Sequence, residues 1–376
     1  MRIGYITKED PSDIRAYSGT HYSMHQALKN EFEEVIPLGP VDHWYKNIAK
    51  LKGKIKTFSN EKVFKFQYDI ELAKKHAEML DSKIEQAKPD VLIGSLVSPE
   101  VAFLKTEIPL YLTTDATFPL LQDSYSSHSN LYPESIKNAM ILERQAFIKA
   151  KKLLLPLEWL AESARNHYRV PDSKIEVIPY GRNLLAKEED IEELVQVRLK
   201  NDEITLLFVG VRWEEKGGPK AVKVVQSLIE RGLKARLQVA GCSPSCKEDF
   251  VDVLGFLDKQ NPQDLSKLID LYKKASFFIL PTNAECIGMS FIEAASFGLP
   301  AIGTNVGGVA EAVIDTKTGL IFDVGQNPNE IAESIKNTWQ NHTKYTEMSV
   351  SAYKHYSENM NWKNWGEKVK QAIAEK

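Results

Sequence analysis

A chain of 376 residues is too long for one ordinary core and suits two domains of ordinary size. The composition, 43% hydrophobic and 26% charged, is globular, and a net charge of −3 argues against broad electrostatic binding of nucleic acid. No apolar run approaches the roughly 18 residues of a membrane span. Three cysteines, Cys242, Cys246 and Cys286, are too few for a disulfide framework and lack a zinc-type quartet, so a cytoplasmic setting is expected.

The opening Met1–Thr7 reads as a buried strand rather than a signal peptide. Next, Trp44, Ile48, Leu51, Ile55 and Phe58 recur at spacings of four, three, four and three, one apolar face of a helix. Lys46, Lys50, Lys52, Lys54 and Lys56 crowd the same segment. The ordinary expectation packs the stripe on the core with the lysines in water. The competing one is peripheral contact with the inner face of a membrane through residues 44–58. Short apolar runs then end in Gly, Pro or small residues at Val91–Gly94, Leu110–Thr113, Ile175–Pro179, Ile204–Gly210, Ala235–Gly241, Ser276–Pro281 and Pro300–Thr304. Strands alternating with helices mean an α/β fold with parallel sheets covered on both faces. A turn at Tyr180-Gly181, the acidic stretch Lys187–Glu193 and a fresh first strand at Ile204 place a hinge near Tyr180–Asn201. The expected domains are 1–185, joined by a C-terminal helix at 360–376, and 200–355.

In open α/β sheets ligands sit at the carboxyl ends of strands. After Val209 come Gly210, Arg212, Lys216, Gly217 and Gly218, two cations among glycines that suit phosphate oxygens, or else an ordinary charged loop. The glycine spacing is no dinucleotide fingerprint. After the strand ending at Pro281, a loop carries Glu285, and a helix begins near Gly288 with Glu293 in its first turns. That helix ends where Gly298 takes a left-handed cap and Pro300 forbids continuation. A helix N-terminus bracketed by two carboxylates suits a ligand with a diphosphate in the middle and hydroxyls at both ends. A third strand–glycine–helix turn, Thr304 to Glu311 through Gly307-Gly308, serves tight packing or ligand contact equally well.

Arg212 with Lys216-Gly217, the Glu285/Glu293 pair, Phe297-Gly298-Leu299-Pro300 and Gly307-Gly308 followed by Glu311 together resemble the family 4 (group 1) retaining glycosyltransferases, over roughly residues 204–325. The resemblance implies the glycosyltransferase-B fold: two facing Rossmann-like domains, a cleft between them and a C-terminal crossover helix, here after Asn361-Trp362-Lys363-Asn364-Trp365. It implies transfer of a sugar from a nucleotide diphosphate sugar to a glycan, lipid-linked or small-molecule acceptor held by the N-terminal domain. Arg212 and Lys216 would hold the diphosphate. Glu285 would bind sugar hydroxyls beside Ile287, Gly288, Met289 and Ser290, and Glu293 the ribose. The base would lie against Val253-Leu254-Gly255-Phe256. Gly19, in the loop Ser18-Gly19-Thr20 before a helix from about His21, would be the N-terminal glycine of the donor site.

The sequence departs from the family at two places. Glu285-Cys286-Ile287-Gly288 stands where Glu-Gly-Phe-Gly is common. Thr114 precedes Asp115 where many members place a His; Asp115 is expected as a catalytic group on that side, and His128 either fills the role of that His from the following loop or is an incidental loop histidine. Two aspartates one residue apart, the metal-binding arrangement of metal-dependent transferases, do not occur. Neither metal nor cofactor is therefore expected. A nucleotide-sugar epimerase and a non-catalytic nucleotide-sugar binder are the competing functions.

Overall fold

A computed structural model describes residues 1–60 and 62–375. The chain divides into two compact units, Met1–Tyr180 with Trp362–Lys376, and Gly181–Asn361. The stretch Tyr180–Asn201 thus belongs to the second unit from Gly181 onward.

The first unit holds six parallel strands: β1 (Arg2–Ile6), β2 (Glu34–Pro37), β3 (Val91–Ser95), β4 (Leu110–Thr113), β5 (Lys152–Leu155) and β6 (Ile175–Val177). Their order is β2-β1-β3-β4-β5-β6, so the direction of winding reverses between β1 and β3. The central strands are covered on both faces, which is why Ile3, Tyr5, Leu92, Ile93, Leu112 and Leu153 to Leu155 are all buried and read as continuous apolar runs. Helix Trp362–Ala374 belongs to this unit and packs on helix Thr20–Glu31. A Cβ on Gly366 would stand 3.1 Å from the Ala27 carbonyl, so glycine sets that close approach. Trp365 is fully buried, and the Trp362 ring stacks on Tyr180 at 5.5 Å. The residues expected to precede this helix, Trp362 to Trp365, form its first turn.

The second unit repeats the plan with β7 (Ile204–Val209), β8 (Ala235–Ala240), β9 (Val251–Gly255), β10 (Phe277–Leu280), β11 (Ala301–Thr304) and β12 (Gly319–Phe322), all parallel, in the order β12-β11-β10-β7-β8-β9. Strands β2, β5, β9 and β12 lie outside the runs singled out from sequence. Three of the four are edge strands whose burial is incomplete, which blurs the apolar run.

The first unit contains a buried carboxylic acid. Glu143, on helix Pro133–Lys149, accepts the Phe118 backbone N–H at 2.7 Å and the Tyr168 hydroxyl. Burial pushes its pKa up from the ordinary 4.5 to about 7. The folded state therefore holds this proton more tightly than the unfolded chain, and the group's contribution to stability falls as pH rises from about 4.5 to about 7. Glu143→Gln should flatten this slope, so its urea midpoint should gain on wild type more at about pH 8 than at about pH 5. An equal difference at both pH values would mean that Glu143 does not titrate in that range.

Candidate active site

In the second sheet β7 and β10 are neighbours where the strand order reverses, and β11 lies beside β10. The loops following these three strands therefore share one edge, the place where open α/β sheets bind ligands. Backbone contacts lock them together. The Glu215 carbonyl accepts the Asn283 N–H at 3.1 Å and the Thr282 hydroxyl at 3.3 Å. Thr304 Oγ1 donates to the Thr282 carbonyl, and the Gly308 N–H donates to the Cys286 carbonyl at 3.0 Å.

Glycine makes this closeness possible. Gly217 has φ +77°, and a Cβ there would sit 2.0 Å from the Pro281 carbonyl oxygen. At Gly218 a Cβ would sit 2.1 Å from the Trp213 indole, which packs edge-on against Phe208. The pair brings the β7 loop onto the exit of β10 and starts helix Gly218–Glu230.

Lys216 and Glu285, 69 residues apart in sequence, meet here. Lys216 Nζ donates to Glu285 Oε2 at 2.9 Å and to the Ala284 carbonyl at 3.1 Å, and both side chains are mostly buried. Glu285 Oε1 also accepts the Cys286 N–H at 3.2 Å. Arg212 is exposed, and its guanidinium donates to Glu215 Oε1, three residues on, at 2.9 Å. An ammonium and a guanidinium at one sheet edge suit phosphate oxygens; a carboxylate held beside the ammonium suits hydroxyls.

Gly288 takes φ +79° and opens helix Met289–Ala295, with Ile287 buried before it and Met289 and Ser290 half-buried. At seven residues this helix is shorter than the sequence suggests, and no side chain caps its start. Its dipole is that of two turns, so the side chains of Lys216 and Arg212 dominate the local positive charge. Gly298 has the expected left-handed conformation, φ +55°. Glu293 is buried, with Oε1 accepting Lys259 Nζ at 2.6 Å and Oε2 accepting the Tyr272 hydroxyl at 3.1 Å. These two donors fix the carboxylate plane and leave each oxygen further acceptor capacity. Val253 to Gly255 lie in strand β9 rather than a loop, and Phe256, just past its end, is strongly exposed.

In the first unit, Tyr17, Ser18 and Gly19 take three successive left-handed conformations before helix Thr20–Glu31. Such backbone costs about 1–2 kcal/mol at each non-glycine residue. It aims the Tyr17 hydroxyl at Asp115 Oδ2, 2.5 Å away, just past β4. Sequence pattern gives no hint of Tyr17, because its partner lies 98 residues on. Thr114 is buried and bonds the Ala116 carbonyl at 2.9 Å. His128 sits in the short helix Ser126–Ser129, bonded to Ser127 Oγ at 3.0 Å and edge-on to Phe118. Buried His21 stacks on Tyr17, and burial together with the charge of Lys8 pushes its pKa down to about 4, so it is neutral at physiological pH. Among the described residues no group of three His, Cys, Asp or Glu side chains is placed to hold a metal ion.

Comparison with known proteins follows the same lines. The family model for glycosyl transferases group 1 matches residues 190–355. The D-inositol 3-phosphate glycosyltransferase of Nocardiopsis dassonvillei is 29% identical over 209 residues, 51% of this chain and 48% of that protein. The chain thus spans about half the length of that curated relative. The enzyme of the same name from Corynebacterium urealyticum is 24% identical over 373 residues, 89% of this chain and 86% of that protein. Among solved structures, sucrose-phosphate synthase from Thermosynechococcus elongatus superposes with a TM-score of 0.69 at 15% identity, covering 99% of this chain and 98% of that one. HepE of Anabaena, solved with UDP and glucose, gives 0.64 at 14%, covering 100% and 99%. These likenesses give the fold, two Rossmann-like domains of the glycosyltransferase-B type. Residues 190–355, which hold the Lys216–Glu285 pair, are thus the part of the chain that matches the group 1 glycosyl transferases.

Proposed function

We propose that the chain transfers a sugar from a nucleotide diphosphate sugar to an acceptor hydroxyl, with retention of anomeric configuration, without a metal ion, and in the cytosol. The observation that carries this reading is the contact of Lys216 Nζ with Glu285 Oε2 at the carboxyl ends of adjacent strands. The contact supports the reading because a cation suited to a departing diphosphate then stands beside an acceptor suited to sugar hydroxyls. In this reading Arg212 and Lys216 neutralise charge as the sugar–phosphate bond breaks, the role a divalent ion has elsewhere. Glu285 orients the sugar, and Glu293 takes the ribose hydroxyls with Lys259 and Tyr272 holding its carboxylate in place. The backbone of Ile287 to Ser290 lines the same edge, and Phe256 lies toward the base. In this reading the first unit binds the acceptor, with Asp115 just past β4 and Tyr17 reaching it from the turn that Gly19 shapes before helix Thr20–Glu31. Retention follows from attack on the face that the diphosphate leaves, its oxygen taking the acceptor's proton.

The test is a donor panel of UDP-, GDP- and ADP-sugars, followed as nucleotide release with and without candidate acceptors. UDP-glucose comes first, because HepE was solved with UDP and glucose. The true donor should raise the melting temperature, since binding the native state alone stabilises it. Acceptor-dependent release supports transfer. Sugar isomerisation would make the chain an epimerase, and binding without turnover a nucleotide-sugar binder.

Metal independence has its own measurement. Transfer should proceed at full rate in EDTA, because Arg212 and Lys216 already supply the positive charge. Loss of activity with chelator and its return with manganese or magnesium would overturn this part of the proposal.

A further inference from the structure

Helix Lys46–Asn60 turns its apolar stripe to the outside. Trp44 is 68% exposed, Ile48 37%, Leu51 59%, Ile55 64% and Phe58 95%. The packed face is the opposite one. Ala49 is fully buried, and Gly53 lies so close to Phe64 that a Cβ would stand 3.1 Å from its ring. The expectation that the stripe packs on the core is therefore overturned, since the glycine and alanine make that contact. Five large apolar side chains in one exposed row mark an interaction surface rather than scattered exposure.

The charge around the stripe selects the partner. From Trp44 to Asn60 there are five lysines and no acidic residue, in a chain whose net charge is −3. At about 100° per residue, Lys50 and Lys54 fall on one flank of the stripe and Lys52 and Lys56 on the other. Lys52 reaches Tyr45 Oη at 2.6 Å and Asp69 at 3.6 Å, Lys56 pairs with Glu134, and Lys46 pairs with Asp42 at 2.9 Å. Lys50 and Lys54 remain exposed at the rim. A second copy docking by the same face would set lysine against lysine.

We propose that this face docks on an anionic lipid bilayer, with the stripe seated at the headgroup–acyl boundary and the lysines against lipid phosphates. Among the described residues no helix is long and apolar enough to cross a membrane, so the contact lies along the surface. Trp44 sits at one end of the stripe, where an amphipathic ring suits the interface. The proposal does not depend on the reaction, since the measurement below contains no sugar donor.

The experiment is flotation of the full chain with phosphatidylcholine vesicles, with and without phosphatidylglycerol. Wild type should float only with the anionic vesicles, and less as salt is raised. A Lys50→Glu/Lys54→Glu variant should lose at least about thirtyfold in partitioning. A Leu51→Ser/Ile55→Ser/Phe58→Ser variant should lose about a hundredfold. All five positions are exposed, so unchanged melting curves should accompany these losses. Wild type remaining unbound with anionic vesicles, or either variant floating like wild type, overturns the proposal. So does a wild-type dimer in solution that the stripe variant splits, because a second copy would then be the occupant.

Discussion

Lys216→Ala and Glu285→Ala are each expected to lower nucleotide release about 10²- to 10³-fold, the effect of removing one preorganised charged contact to a transition state. Lys216 has two acceptors within 3.1 Å, Glu285 Oε2 and the Ala284 carbonyl, so its ammonium is already aimed before any donor arrives. Alanine at 216 removes the charge for the diphosphate and also leaves Glu285 without its cation. Some stability is lost with the pair, because each single variant leaves a mostly buried charge without its partner, so release is to be compared well below each variant's own melting temperature. The double variant separates chemistry from structure. If the two residues merely neutralise each other, Lys216→Ala/Glu285→Ala should recover activity, because neither charge is then left alone. If they act on the donor, the double variant stays as slow as the slower single one. Near wild-type release in either single variant would remove the site assignment.

The site was legible in sequence to the extent that its residues announce themselves locally. Lys216 and Glu285 each follow an apolar strand and a turn, and the parallel order that makes β7 and β10 neighbours brings them together. The glycines at 217, 288 and 298 are equally readable, because left-handed backbone favours them, whereas Gly218 answers to the Trp213 indole packed on it. What stayed hidden depends on facing. The spacing of Trp44 to Phe58 defines a stripe but is identical whether that stripe points inward or outward. Gly53, which reads as a weak point in the helix, is the contact that turns the stripe out by letting Phe64 close on the other side. Strand β9 carries Asp252 and Gly255 on a sheet edge, so its run looks like a loop. Asp115 is readable just past an apolar strand, but Tyr17 has no local signature; only the fold pairs the two.

Arg198 is a residue that composition would place on the surface and the fold places inside, and its removal should be strongly destabilising. It lies on helix Ile191–Leu199 and is 1% exposed. Its guanidinium donates to four backbone carbonyls: Nε to Lys273 at 2.9 Å, Nη1 to Gly298 at 2.7 Å, and Nη2 to Tyr272 at 3.2 Å and Phe297 at 2.9 Å. Two of these carbonyls end helix Pro262–Lys274, and two follow helix Met289–Ala295, where helices leave acceptors without an internal partner. One planar cation therefore closes two helix ends, each of which favours positive charge. Burial lowers its proton affinity, but a guanidinium remains charged in this setting. Arg198→Met keeps much of the volume and removes every donor, leaving four carbonyls buried and unpaired. At roughly 1–3 kcal/mol for each unsatisfied group, partly relieved by relaxation, the loss should be about 4 kcal/mol or more. In a unit of this size that corresponds to a fall of roughly 10 °C or more in melting temperature. Arg198→Lys should fall between, since an ammonium keeps the charge without the fork. Because Arg198 makes none of these contacts to Lys216 or Glu285, nucleotide release measured well below the lowered transition should stay within a few-fold of wild type. A fall of less than about 1 kcal/mol in Arg198→Met would show that the carbonyls find other donors, and that the guanidinium does not hold these helix ends.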